Sequence, residues 1–246
     1  MDTKSNLDAY AENYSTYKGM NEYQAEYSLK YYSRYLLWDR PDSSCLELGC
    51  ADGRMTMELM KKFKRVVAVD GSKVFLNTLR QKLRQQPEGE RVRCLESYFE
   101  DLELDEKFDT ITMGHILEHV ADPVDILKKY KAHLKPDGYL VADVPNARSL
   151  HRLAAQKMGL IKSIYDLNET DLAVGHQRVY DLTTFRRDIL AAGLKIVEET
   201  GFWLKVLSNR QIEEQWSEET IRAYMDLDGF EGLLPYAANI LIVCSL

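Results

Sequence analysis

From residue 44 onward, short apolar runs alternate with stretches of helical spacing. Cys45–Leu48, Arg65–Asp70, Val92–Leu95, Phe108–Met113, Tyr139–Asp143, Leu194–Glu199 and Ala238–Val243 are short and rich in β-branched or aromatic residues, so each predicts a strand. Between them lie amphipathic stretches that predict helices. One covers Arg54–Phe63. A second runs from an N-cap at Ser72 to about Gln85, and a third opens at Asp122 with Pro123 in its first turn and continues through His133. A fourth spans Thr183–Ala192 and is stopped by Gly193. Pro87-Glu88-Gly89 and Pro136-Asp137-Gly138 predict turns. Strands alternating with helices of this length predict an α/β fold: a Rossmann-like sheet of seven mostly parallel strands with helices on both faces.

Ahead of the first strand the pattern changes. Tyr23, Tyr27 and Tyr31 are four residues apart, which stacks them on one face of a helix over about Glu22 to Trp38, ended before Pro41. Residues 1–40 are therefore expected to form a helical cap, and 41–246 a single domain. Residues 147–178 and 203–236 break the alternation with polar and aromatic insertions, where the specificity of a rigid sheet usually resides.

Composition narrows the partners. Lys and Arg total 32 against 39 Asp and Glu, a net charge of −7, which argues against a protein that grips nucleic acid through its phosphates. No apolar run approaches the ~18–20 residues of a membrane-spanning helix, and the polar, acidic N-terminus does not read as a secretory signal. Cys45, Cys50, Cys94 and Cys244 lack metal-ligand spacing and read as small buried hydrophobes in a reducing, cytoplasmic setting.

The chemistry gathers at strand ends. After Leu46-Glu47-Leu48 come Gly49, Cys50, Ala51, Asp52 and Gly53, whose small members let backbone approach a ligand closely. The turn is neither G-x-G-x-x-G nor a P-loop, and Glu47 would repel a pyrophosphate while suiting a cationic group. Asp70, with Gly71 and Ser72 behind it, stands at the tip of the second strand, where a carboxylate can accept both hydroxyls of a ribose.

With these residues in view, the sequence resembles the class I S-adenosylmethionine-dependent methyltransferases. ELGCADGR is similar to their first motif, VVAVDGS to the second, FDTITMGHILEHVADP to the fourth-strand motif, and HLKPDGYLVADVPN to the region around the fifth strand. GHQRVYDLTTFRRDILAAGLKIVEE resembles the tail of ubiquinone-pathway O-methyltransferases, and the likeness extends to antibiotic-sugar N-methyltransferases. The resemblance implies S-adenosyl-L-methionine as cofactor and S-adenosyl-L-homocysteine as product. It places Gly49, Cys50, Ala51 and Gly53 along the methionine portion, Glu47 near its ammonium, and Asp70 on the ribose. Tyr98 and Phe99 would flank the adenine, and Gly114 and His115 would pass beside the sulfonium. Ala51 stands where the family has glycine, which is tolerable if its φ stays negative. Tyr98 stands where the family often has Asp.

Methyl transfer asks the protein for alignment, exclusion of water and removal of a proton from the acceptor, and histidine suits the last task near neutral pH. His119, beyond the fourth strand, is the first candidate for base or orienting group. His176 and Tyr14 follow, Tyr14 because the N-terminal segment in the resemblance closes over the cofactor. His133 is expected to be solvated, and His151 is left unassigned. His115-Ile116-Leu117-Glu118-His119 also matches H-x-x-E-H, a zinc-protease signature, but that motif needs a long helix and a third ligand, whereas these residues fall at a strand end just before Asp122-Pro123. Asp143 and Asn146 could lie near the pocket, yet no residue set dictates a metal, so metal independence is expected. The reading that results is methyl transfer to O or N of a small-molecule acceptor by a monomer or homodimer. The alternatives are a catalytically silent protein of the same fold, a nicotinamide-dependent oxidoreductase, and a nucleic-acid or protein methyltransferase. The intact Glu47, Gly49, Gly53 and Asp70 oppose the first, and the missing G-x-G-x-x-G opposes the second. For the third, the acidic charge disfavours nucleic acid, and Gly114-His115-Ile116-Leu117 stands where an Asn-Pro-Pro-Tyr-type motif would be.

Overall fold

The computed structural model describes residues 7, 8, 11, 18–227 and 232–246, so Tyr10 and Tyr14 lie outside the described residues. One sheet of seven strands carries the fold, in the order β3-β2-β1-β4-β5-β7-β6. The strands are β1 (Ser44–Leu48), β2 (Arg65–Asp70), β3 (Val92–Glu96), β4 (Phe108–Gly114), β5 (Leu134–Pro145), β6 (Lys195–Phe202) and β7 (Asn239–Ser245). Strands β1 to β5 pair in parallel, while β7 runs antiparallel to both β5 and β6. From β1 the chain order proceeds outward through β2 and β3 on one side and through β4 and β5 on the other, so strand order reverses between β1 and β4. Open α/β sheets bind their ligands at that switch, beyond the carboxyl ends of the strands.

The helices are α1 (Lys18–Tyr32), α2 (Arg54–Lys62), α3 (Lys73–Leu83), α4 (Pro123–Lys131), α5 (Leu150–Lys157), α6 (Glu169–Ala173), α7 (Leu182–Ala191), α8 (Asn209–Gln215) and α9 (Glu218–Met225). Side chains alternate across each strand. Cys45, Val66 and Ala68 face Tyr27 and Tyr31 of α1, Leu59 and Met60 of α2, and Leu76 and Leu79 of α3. Leu46, Leu48, Val67 and Val69 face Ile126 and Tyr130 of α4 and Phe185 and Ile189 of α7. Both faces are covered, which is why β1 and most of β2 and β4 are buried without alternation, including Glu47, Asp109, Thr110 and Thr112. Cys45, Cys50 and Cys244 are buried free thiols. Among the described residues, no helix is long and apolar enough to cross a membrane.

The expected caps form. Ser72 Oγ accepts from Phe75 N–H at 3.3 Å, and Asp122 accepts from Val124 and Asp125 N–H at 2.9 and 3.0 Å with Pro123 in the first turn. Three expectations need correction. Helix α1 ends at Tyr32 rather than Trp38: the chain turns there, buries Leu36, and ties Leu37 N–H to Thr110 Oγ1 on β4 at 3.2 Å. Helix α4 ends at Lys131, and His133 is half-buried rather than solvated, with Nδ1 3.1 Å from the Glu106 carbonyl. Pro136-Asp137-Gly138 does not stand outside the strand. Phe108 pairs with Leu134 and Thr110 with Tyr139, so the segment is absorbed as a bulge within β5. Asp109 anchors this bulge through Lys135, 2.7 Å away.

Candidate active site

Strand β1 delivers the chain into a loop of left-handed residues: Gly49 at φ +76°, Ala51 at +45° and Gly53 at +86°. A Cβ on Gly49 would stand 2.2 Å from Ile116 Cδ1, so close approach as well as φ requires glycine there. Ala51 corrects the expectation of a negative φ. Its strain is held by a backbone N–H that donates to Asp70 Oδ2 at 2.9 Å. Asp70 Oδ1 accepts from Ser72 N–H at 2.8 Å. Burial raises the Asp70 pKa, and these N–H donors work against the rise. Each oxygen keeps a second lone pair for a ligand hydroxyl.

Glu47 is buried below the loop, accepts from Thr56 Oγ1 at 2.6 Å, and is pushed by burial to a pKa of about 7. The Phe99 ring lies against the loop at Gly49, and the Tyr98 ring lies against Gly71. Leu7 also reaches Gly71, and Asp8 accepts from Ser72 Oγ at 2.7 Å, which brings a piece of the N-terminal segment over this end. These residues open onto a cavity of about 1180 Å³ whose walls include Glu47, Gly49, Cys50, Ala51, Asp70, Gly71, Tyr98 and Phe99. Gly53 and Ser72 support that wall from behind: Gly53 packs against Leu79, and Ser72 caps α3.

The same cavity continues past Gly114 to His115, His119 and His176. Here β4 ends and the chain turns, with His115 at φ +53° and its N–H donating to the Asp143 carbonyl at 3.0 Å. His115 Nδ1 is 3.2 Å from Glu118 Oε1, and Nε2 is 3.1 Å from Asp143 Oδ2 but outside hydrogen-bond geometry. Burial alone would lower the His115 pKa. Asp143 and Glu118 outweigh it and hold the imidazole pKa well above its ordinary value. The Tyr32 hydroxyl donates to Asp143 Oδ1, which completes a buried chain from α1 to the β4 turn.

His119 differs from His115. Burial takes its pKa down to about 4, so it is neutral at pH 7 and has a lone pair to offer. His176 sits edge-on to it, with ring centroids 4.7 Å apart. Its Nδ1 lies 3.1 Å from Asp171 Oδ1, and the other Asp171 oxygen is 3.2 Å from Arg152. Burial opposes ionisation of Asp171, yet His176, the Asn168 N–H and Arg152 hold it at about 2. The segment that carries His176 is stapled to the β4–α4 turn: Gln177 N–H donates to the Glu118 carbonyl at 2.8 Å, and Arg178 donates to the Leu117 and Ala121 carbonyls at 2.7 and 2.9 Å. His151 and Lys205 also line the cavity. Burial drives their pKa values down to about 2 and about 8.

The fold thus brings His119 and His176 together as the sequence reading requires. It also gathers residues to which that reading gave no role: Tyr32, Glu118, Arg152 and Asp171. The sequence named no residue set that dictates a metal; in the structure Glu118, His119 and His176 each offer a ligand atom within 4.8 Å of the others.

Comparison with known proteins agrees with this geometry. Over 111 residues, 44% of each chain, the sequence is 31% identical to the cypemycin N-terminal methyltransferase of a Streptomyces species. Over 107 residues, 41% of this chain and 44% of the other, it is 31% identical to the ubiquinone biosynthesis O-methyltransferase of Haemophilus ducreyi. The match therefore spans less than half the length of either relative. Among solved structures, a chain from the complex of the Haloferax volcanii Trm112 methyltransferase activator with a methyltransferase superposes at a TM-score of 0.64. It is 19% identical, with 97% of this chain and 96% of that one covered. Residues 20–199 match the family described as "Methyltransferase domain". With that match over most of its length and the strand order above, the chain belongs to the methyltransferase domain family, as a class I S-adenosylmethionine-dependent methyltransferase domain.

Proposed function

We propose that the protein transfers a methyl group from S-adenosyl-L-methionine to an oxygen or nitrogen atom of a small-molecule acceptor. The observation that carries this reading is one cavity with two chemically distinct ends, of about 1180 Å³ and so spacious enough for a cofactor and an acceptor together. The residues of the β1 end fit the cofactor. Glu47 is a buried carboxylate for an ammonium, and Asp70 is a carboxylate fixed by backbone donors, with lone pairs left for ribose hydroxyls. The rings of Tyr98 and Phe99 flank the place of the adenine, and Gly49 and Gly114 let main chain approach closely. Bound there, the cofactor would supply a methyl group already activated by its sulfonium.

The chain's own work is alignment and proton removal. His119, neutral and beside the acceptor, takes the proton that leaves the hydroxyl or amine. His176, oriented by Asp171, fixes the acceptor's approach. His115, between Glu118 and Asp143, holds the turn that aims His119. The names of the two curated relatives, one an N- and one an O-methyltransferase, support an N or O acceptor. The net charge of −7 supports a small molecule over a nucleic acid.

The test is turnover with methyl-labelled S-adenosylmethionine and a panel of phenols, catechols, amines and amino sugars. Label should pass to at least one member and S-adenosylhomocysteine should accumulate. Tight binding of S-adenosylhomocysteine with no label transferred would overturn the catalytic reading in favour of a silent binding protein.

A further inference from the structure

We propose that Glu118, His119 and His176 form a binding site for a divalent transition-metal ion of the zinc type, with one coordination position open to the acceptor end of the cavity. The three ligand atoms lie within 4.8 Å of one another. An ion with bonds of about 2.0–2.2 Å needs them about 3.4 Å apart, so side-chain rotations of about an ångström close the set.

The orientation of two of the three ligands, Glu118 and His176, is already fixed by a partner on the far side. Glu118 is 1% exposed; its Oε1 faces His115 Nδ1, while its Oε2 is buried with no hydrogen-bond partner. A buried carboxylate oxygen left unpartnered is costly unless something cationic meets it. His176 presents Nδ1 to Asp171, which leaves Nε2 for a metal. Asp171 is itself held by Arg152. A carboxylate behind a ligating imidazole is the usual support of a zinc-bound histidine. His119 and His176 line the cavity, so three protein ligands leave the fourth position facing it, the pattern of a catalytic rather than a structural zinc site. Two imidazoles and one carboxylate suit zinc or cobalt and disfavour magnesium, which prefers oxygen alone.

The H-x-x-E-H signature could not deliver this site, because residues 115–119 form a turn rather than a helix. The third ligand comes instead from His176, on a separate segment. The meaning of the open position rests on the methyltransferase reading: an ion on His119 takes the lone pair that would otherwise receive the acceptor's proton, so ion and proton compete for it. Ion binding itself does not depend on that reading.

The experiment titrates chelator-treated full-length protein with Co²⁺, followed by visible absorption, and then displaces it with Zn²⁺. Each sample is also titrated with S-adenosylhomocysteine. One equivalent of Co²⁺ should give a saturable tetrahedral-type spectrum that Zn²⁺ abolishes. His176→Gln should abolish the spectrum, and Asp171→Asn should weaken binding by about 10–100-fold, with circular dichroism and S-adenosylhomocysteine affinity unchanged in both. No saturable spectrum, a titration unaltered by His176→Gln, or a thiolate charge-transfer band would overturn the site. None of these outcomes touches the cofactor reading, which the S-adenosylhomocysteine titration reports separately.

Discussion

At the β1 end of the cavity the ligand-facing groups are backbone in a left-handed loop and a carboxylate pinned by two N–H donors, whereas at the β4 end they are ionisable side chains. The frame of the first end is one strand, one turn and the tip of the neighbouring strand, all within about 25 residues of sequence, with Tyr98 and Phe99 added from beyond β3. The second end needs Tyr32 from α1, Asp143 from β5, the turn at residues 115–119, and His176 with Asp171 from an insertion. A local, backbone-built site suits the cofactor. A site assembled from side chains on distant segments suits an acceptor that differs from one relative to the next.

The comparison breaks most visibly in catalysis. His119→Gln removes the neutral imidazole and should lower kcat by about 10²–10⁴-fold, while S-adenosylhomocysteine affinity stays within about twofold, because the β1 end is untouched. Loss of cofactor affinity in this variant would show that the two ends do not act independently.

The ends also answer pH with opposite sign. The folded-state pKa of Glu47 is raised from 4.5 to about 7, so the folded state holds the extra proton between those values. Its burial therefore costs stability in full above pH 7, and the cost disappears as pH falls toward 4.5. Glu47→Gln should be more stable than the parent at pH 8, by about 3 kcal/mol, and the difference should vanish near pH 4.5. His119 runs the other way. Its pKa drops from 6.5 to about 4, so its burial costs nothing above pH 6.5 and destabilises the fold as pH falls toward 4. His119→Gln should match the parent at pH 8 and gain on it below pH 6. Chemical denaturation at a series of pH values reads both differences. Parallel rather than opposed trends would contradict the assigned burial of the two groups.

The smallest effect concerns the loop itself. Ala51 sits at φ +45°, where a Cβ costs about 1 kcal/mol, so Ala51→Gly should be neutral to slightly stabilising, by at most about that amount. A thermal melt measures it, and a clear loss of stability would mean that the Ala51 methyl group does more packing than the loop geometry indicates.

Legibility in the sequence follows the same division. The seven strands and helices α1–α4 and α7 were readable because each reports its own local pattern, as were Asp70 and the glycine turn, whereas α5, α6, α8 and α9 lie in stretches read as irregular insertions. Boundaries failed where tertiary contact overrode propensity: α1 stops at Tyr32 because Leu36 and Leu37 leave the helix to join the core and β4, and Pro136-Asp137-Gly138 is held within β5 by the bulge against Asp109. The sign of φ at Ala51 could not be inferred from residue type. At the β4 end, His119 was identifiable from its place after a strand. Tyr32 was hidden among tyrosines that do pack, such as Tyr27 and Tyr31. Nothing in the spacing joins Glu118 to His176, 58 residues later, because the loop that brings them together makes its contacts through backbone carbonyls.

The most direct test of the account is calorimetric titration of the protein and of Asp70→Ala with S-adenosylhomocysteine. The account predicts one saturable site in the parent. In the variant, loss of the charge-assisted bonds to ribose should weaken binding by about 1.5–3 kcal/mol, roughly 10–150-fold. Absence of binding in the parent, or equal affinity in the variant, would contradict the assignment of the β1 end as the cofactor site.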